Sequence, residues 1–287
     1  MIPVITALRP KQWIKNGLVL AAPAVAGTRP TGRAVLHLGL AFIAFCLVAS
    51  ATYLVNDIND REFDRLHERK RHRPIASGAL GVPVAWAMAA VVGGLGLGVG
   101  AVLDVRFLIV LLVYGLLGPL YSTWLKNQPV IEIGCVAAGF VLRAIAGAVV
   151  TDLPISRWFL IVAGAGSVFM VAGKRHSEIV LPGGDRSRPV LKAYTVDYLR
   201  FVWRTAASVA VMGYALWAFE EGSLRLDPVW AQLSVVPFSF ALLRYGLVVE
   251  RGEAGAPEDV AFGDRLLQAL AVSWGLAFAV GVLLGRS

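Results

Sequence analysis

The sequence predicts an all-α, polytopic membrane protein of about nine transmembrane helices. Three observations carry this. The chain of 287 residues is 57% hydrophobic and only 16% charged, where a soluble domain carries about a quarter charged residues. Mean hydropathy is +0.68. Apolar runs near the length of a bilayer crossing recur from end to end, with cations clustered at their ends. No segment is polar or long enough for a separate soluble domain, so residues 1–287 read as a single integral membrane domain.

The expected spans lie near 14–28, 34–55, 82–103, 107–125, 129–151, 158–172, 205–219, 228–249 and 266–285. Before the first, LRPKQWIKN offers Arg9, Lys11 and Lys15 with Trp13, which fits an interfacial anchor or a phosphate lining. A secretory signal ending at Ala24-Val25-Ala26 is disfavoured, because Pro23 interrupts its apolar centre and the topology needs this span. Span three holds Gly94, Gly96, Gly98 and Gly100 at GxxxG spacing, which suits close helix packing or a smooth wall for a lipid tail. Span five contains Glu132 and Arg143. Arg143 lies about a dozen residues into it, where a charge is costly and is expected to face an internal polar cavity or a partner.

Cys46 and Cys135 fall inside apolar runs without metal or disulfide spacing and read as small buried residues. Residues 173–204 form the largest extramembrane segment. It opens with GKRHSEIV (Lys174, Arg175, His176, Glu178), turns at Gly183-Gly184, and continues as KAYTVDYLRFVWR, an interfacial amphipathic helix feeding span seven. The last loop, PEDVAFGDR, carries Glu258, Asp259 and Asp264, which fit a solvated helix start. No two of the four histidines have ligand spacing, and no P-loop, Ser/His pair or Rossmann glycine pattern is present.

Charge sets the orientation. Of the 27 Lys and Arg, only Arg29, Arg33, Arg106, Arg157, Arg225 and Arg286 fall on the side opposite the N-terminus, and Arg143 lies within a span. The positive-inside rule then places the N-terminus and the segment after span two in the cytoplasm. The net charge of +8 therefore belongs to membrane ends and does not point to nucleic acid.

That segment, Asn56 to Gly78, carries the chemistry. It follows a run from Ala34 to Val55 free of Asp, Glu, Lys and Arg. Asn56, Asp57, Asp60 and Asp64 then share one helical face over roughly two turns. A row of carboxylates suits Mg²⁺, which takes a few carboxylates, water and phosphate oxygens. Directly behind come Arg65, Arg69, Lys70, Arg71 and Arg73. Acid for a metal beside base for a phosphate predicts a membrane-embedded, Mg²⁺-dependent enzyme acting on a diphosphate. After span four, Tyr121 and Trp124 fit interfacial aromatics, and Lys126 beside them fits a phosphate ligand.

NDINDREFD followed by KRHRPIASG resembles the first signature of the UbiA superfamily of intramembrane prenyltransferases. LRPKQWIKN, YSTWLKNQPVIEI, GFVLRAIAG, GKRHSE, AYTVDYLRFVW and PEDVAFGDR extend the resemblance over almost the whole chain, toward the branch that transfers phosphoribosyl groups. The resemblance implies helices around a central cytoplasm-facing cavity in the plasma (inner) membrane. It implies transfer of 5-phosphoribosyl from phosphoribosyl pyrophosphate to a polyprenyl (decaprenyl) phosphate for cell-wall arabinan. Mg²⁺ would sit on Asn56, Asp57, Asp60 and Asp64, with the three aspartates catalytic. Lys11, Lys15, Arg71, Arg73, Lys126, Lys174 and Arg175 would hold the phosphates, and Tyr121 and Arg143 would bind substrate. Glu178 and Asp259 would orient ribose hydroxyls or support a second metal.

One departure selects the branch. Where the wider superfamily carries a second aspartate-rich motif after span six, this chain has GKRHSE, with two cations and one acid. Two anionic substrates call for cations, since unpaired negative charges repel in a low-dielectric cavity. Aromatic prenyl transfer is thereby the weaker alternative, and a lipid transporter weaker still. A homo-oligomer is compatible with the sequence and not required by it.

Overall fold

The structure, a computed structural model, describes residues 3–20, 31–68, 70–180 and 189–285. All regular elements among them are helical. After α1 (Pro3–Ala7) and a 3₁₀ helix (Pro10–Leu20) come α2 (Gly32–Asn59), α3 (Arg61–Leu66), α4 (Val82–Leu103), α5 (Val105–Thr123) and α6 (Ile131–Val150). They are followed by α7 (Arg157–Val180), α8 (Val196–Trp217), α9 (Pro228–Leu233), α10 (Val235–Glu250), α11 (Pro257–Gly263) and α12 (Arg265–Leu284). The ends are set by short polar residues accepting orphan backbone N–H groups. Thr31 Oγ1 accepts from Ala34 ahead of α2, Asp104 from Arg106 ahead of α5, Thr195 from Tyr198 ahead of α8, and Asp264 from Leu267 ahead of α12.

Seven helical stretches among the described residues are long and apolar enough to cross a membrane: α2, α4, α5, α6, α7, Pro228–Glu250 and α12. The first expected span begins in the 3₁₀ helix, and its remainder, 21–28, lies outside the described residues, as do Gly183 and Gly184. The expected seventh span and the amphipathic segment before it form one helix, α8. Its Asp197, Arg200 and Arg204, with its Ser, Thr, Tyr and Trp, keep its hydropathy low. Span six was expected to stop at 172, yet α7 runs to Val180, so GKRHSE is helical.

The chain divides into two compact units. The first comprises 1–24, 29–126 and 142–154. In it α2 packs on α4 and α5 around Phe45, Phe107, Leu111 and Tyr114. The glycines of α4 split by face. A Cβ on Gly96 would meet Val48 Cγ2 at 2.8 Å and the Ala44 carbonyl at 2.9 Å, and one on Gly100 would meet Leu111 Cδ1 at 2.7 Å. Gly94 and Gly98 have nothing within 4 Å. Packing thus explains one pair, and the other leaves a smooth outer strip.

The second unit comprises 25–28, 127–141 and 155–287. Here α7 packs along α8, with the Phe169 ring in contact with those of Trp203 and Tyr245. Toward the far end of α8, Tyr214, Trp217, Phe238, Trp274 and Phe278 form a second aromatic cluster.

Candidate active site

In the first unit α2 outruns its apolar stretch by one turn, and that turn carries Asn56 and Asp57. Asp60 both ends α2 and starts α3, which bears Asp64, so the acid row crosses a helix junction instead of following one axis. The row points inward: Asp57 is 3% and Asp64 4% exposed. Burial pushes the Asp64 carboxyl up, and the neighbouring Arg73 offsets this only in part.

Each carboxylate meets a cation. Arg73 Nη1 donates to Asp57 Oδ1 at 3.0 Å and to Asp64 Oδ2 at 2.6 Å. Arg9 Nη2 donates to the same Asp57 oxygen, its guanidinium lying 5.1 Å from the centre of the Tyr53 ring. Arg9 holds a left-handed backbone (φ 53°), which a non-glycine residue adopts only where its surroundings enforce it. Lys126 Nζ donates to Asp60 Oδ1 at 2.7 Å, and Asn56 Nδ2 to Asp60 Oδ2 at 3.2 Å. Ser122 Oγ, from the end of α5, donates to Asn56 Oδ1 at 2.6 Å.

All donors in the row are hard oxygens, the set Mg²⁺ takes. Among the described residues, however, no three His, Cys, Asp or Glu side chains stand ready as a metal cage. The acids are spaced out along their cationic partners.

The other expected residues differ in exposure. Lys11 and Arg71 are exposed, and Lys15 and Tyr121 half-buried. Arg143 is buried with partners of its own: Nε donates to Asn16 Oδ1 and Nη2 to Tyr114 Oη, each at 2.7 Å, with the guanidinium over the Tyr114 ring. That matches a charge expected to find a partner. Cys46 is likewise buried and accepts from Asn16 Nδ2.

In the second unit Lys174 is half-buried and Asp259 exposed. Arg175, 3% exposed, donates Nε and Nη2 to both oxygens of Glu132 and Nη1 to Glu178 at 2.8 Å. Its charge is balanced inside the protein, so GKRHSE adds less positive charge than its composition implies. Tyr194 Oη accepts from the Val130 N–H at 2.7 Å, which braces Val130 in a left-handed conformation (φ 68°). Burial pushes that phenol up to about 12, so it stays protonated.

Sequence reasoning gave Glu132, Tyr194 and Ser122 no role. An acid inside span five was a signal for Glu132, since a charge there needs a partner. Nothing marked Tyr194 or Ser122.

The model of the UbiA prenyltransferase family matches residues 17–263. The chain belongs to this family. It is 46% identical over 286 residues to a decaprenyl-phosphate phosphoribosyltransferase of Corynebacterium glutamicum, covering 97% of this chain and 86% of that one. Against the enzyme of that name from Mycobacterium tuberculosis H37Rv it is 44% identical over 288 residues, covering 98% and 95%. Among solved structures, a UbiA homolog from Archaeoglobus fulgidus bound to GPP and Mg²⁺ superposes with a TM-score of 0.75 at 18% identity, covering 98% of both chains. The apo UbiA homolog of Aeropyrum pernix K1 gives 0.69 at 19% identity, covering 95% of this chain and 98% of its own. At such identities the structural likeness speaks for the fold. UbiA membership and seven apolar helices make this a multi-pass membrane protein.

Proposed function

We propose that this UbiA member transfers the 5-phosphoribosyl group of phosphoribosyl pyrophosphate to decaprenyl phosphate and releases pyrophosphate, with Mg²⁺ as cofactor. The observation that carries the reading is the inward-facing row Asp57, Asp60 and Asp64, interleaved with Arg9, Arg73 and Lys126. Support also comes from relatives 41–46% identical that bear the name of this activity. The cation excess on its flank supports a position for the row at the cytoplasmic face of the inner membrane. On this reading residues 1–287 form a single integral membrane domain built of the two units.

Mg²⁺ would be held by the oxygens of Asp57, Asp60 and Asp64, with Asn56 beside them. When bound, it supplies charge neutralisation for the departing pyrophosphate. The remaining work falls to the chain. Arg9, Arg73 and Lys126 balance the acids in this structure and are the groups available to phosphate oxygens when a diphosphate enters. Lys11, Lys15, Arg71, Tyr121, Arg143 and Lys174 remain candidate phosphate ligands, and Glu178 and Asp259 candidates for ribose hydroxyls. Arg175 serves by fixing Glu178. A phosphate oxygen of the lipid, anionic at neutral pH, attacks the anomeric carbon. The bond from that carbon to pyrophosphate breaks, its electron pair leaving with pyrophosphate. The nucleophile needs no activation, so positioning dominates.

The test uses purified full-length protein in nanodiscs with labelled phosphoribosyl pyrophosphate, decaprenyl phosphate and Mg²⁺. Label should enter the lipid, and chelation should stop it. Pyrophosphate release only from a prenyl diphosphate with an aromatic acceptor would overturn the reading, and transfer undiminished by chelator would remove the metal.

A further inference from the structure

Ser122 lies one helix away from the acid row and is 5% exposed. Its hydroxyl reaches two acceptors, Asn56 Oδ1 at 2.6 Å and the Gly118 carbonyl at 3.0 Å. A serine has one proton and two lone pairs, so it donates to one of these at a time. The Gly118 contact is the ordinary back-bond of a serine in a membrane helix. The Asn56 contact is the shorter, and it has a consequence downstream. With Oδ1 engaged by Ser122, the Asn56 amide directs its N–H₂ at Asp60 Oδ2, 3.2 Å away. Lys126 holds the other oxygen, Oδ1, at 2.7 Å. Asp60 is thus gripped at both oxygens, and one grip depends on which way the Asn56 amide faces.

The geometry points to Ser122 as a positioning residue for the cation site: through Asn56 it sets the orientation of the Asp60 carboxylate. The Gly118 carbonyl gives this arrangement a second setting. When the hydroxyl proton turns to Gly118, Ser122 Oγ becomes an acceptor and can take the Asn56 N–H₂, which turns Asn56 Oδ1 toward Asp60 Oδ2, a pair of acceptors that a cation can share. One hydroxyl thereby supports either face of the amide, as a donor in one setting and an acceptor in the other. Alanine supports neither. Threonine supports both. Outer-shell partners of this kind change metal affinity by about 10–100-fold when removed.

The inference rests on the Mg²⁺ reading above, so its test begins with the wild type. Full-length protein in nanodiscs is titrated with Mn²⁺, free ion being followed by electron paramagnetic resonance, and with Mg²⁺, followed by the shift in thermal unfolding. Ser122→Ala is expected to weaken Mn²⁺ binding about 10-fold and to raise the Mg²⁺ concentration for half-maximal transfer equally, with kcat at saturating Mg²⁺ little changed. Ser122→Thr should return binding to within about 3-fold of wild type, by restoring the hydroxyl. If the alanine variant does not fold, Ser122→Cys keeps the volume with a much weaker donor and should show an intermediate loss. Wild-type cation affinity in the folded Ala or Cys variant overturns the proposal. So does a fall in kcat with affinity unchanged, or a threonine variant as weak as alanine. A wild type that shows no cation binding refutes the Mg²⁺ reading itself, and this inference falls with it.

Discussion

Replacing Arg73 by Ala tests the electrostatics of the acid row directly. Arg73 is bonded to two of its carboxylates, Asp57 at 3.0 Å and Asp64 at 2.6 Å. Its removal leaves Asp57 with Arg9, while Asp64 loses both of the influences that hold its carboxyl down. Taking one partner from a buried pair costs about 3–5 kcal/mol. The Arg73 side chain is 27% exposed, so solvent already screens part of this, and about 2–3 kcal/mol is the reasonable expectation. At about 2–4 °C per kcal/mol for a chain of this size, the unfolding temperature should drop by about 5–10 °C near neutral pH. The loss should also depend on pH, with a definite sign. The folded Asp64 carboxyl sits above its ordinary value of 3.8, so the folded state holds that proton more tightly than the unfolded one. Its contribution to stability is present in acid and is lost as pH rises through the folded value. Without Arg73 that value rises further. The gap to wild type should therefore be small in mildly acidic buffer and widen toward alkaline buffer. Adding Asp64→Asn to Arg73→Ala should close much of the gap at neutral pH, since the uncompensated charge is gone. The assay is thermal unfolding of purified protein in one detergent across a pH series. A deficit that is flat with pH and untouched by Asp64→Asn would refute the reasoning.

Four further outcomes follow from the structure. Asp60→Ala should cut turnover by at least about 10²-fold while the protein stays folded, because Lys126 and Asn56 lose a half-exposed partner at a helix junction; near-normal turnover would reject the metal assignment. Lys126→Ala should raise the donor KM by about 10-fold with a smaller effect on kcat, measured in the same transfer assay, as expected for a lost charge-assisted contact of about 1.5 kcal/mol. Gly96→Ala should destabilise by about 1–3 kcal/mol, because its Cβ would meet the Ala44 carbonyl at 2.9 Å, and backbone cannot swing aside. Gly98→Ala, with nothing within 4 Å, should be neutral or slightly stabilising.

Much of the unit that carries the acid row was legible because its chemistry is contiguous. Asn56, Asp57, Asp60 and Asp64 lie within nine residues at the end of one apolar run, which helical spacing reads as one face, although the row in fact crosses the helix junction at Asp60. Arg73 was legible for the same reason. Arg9 and Lys126 were visible as cations at membrane ends, but their partners were not, since Arg9 meets Asp57 across 48 residues and Lys126 meets Asp60 across 66. No local periodicity encodes such a pairing. GKRHSE shows how composition can mislead. Counting its charges gave two cations and one acid, yet Arg175 is bound by Glu132 from 43 residues upstream and by Glu178 within the motif. The charge a substrate would meet is set by this three-dimensional pairing. Two carboxylates share that one guanidinium, and Glu132 is fully buried. Aromatic prenyl transfer is therefore not disfavoured by a surplus of cations in this motif. It is disfavoured by relatives across nearly the whole chain and by the first unit, where Arg9, Arg73 and Lys126 match three aspartates one for one.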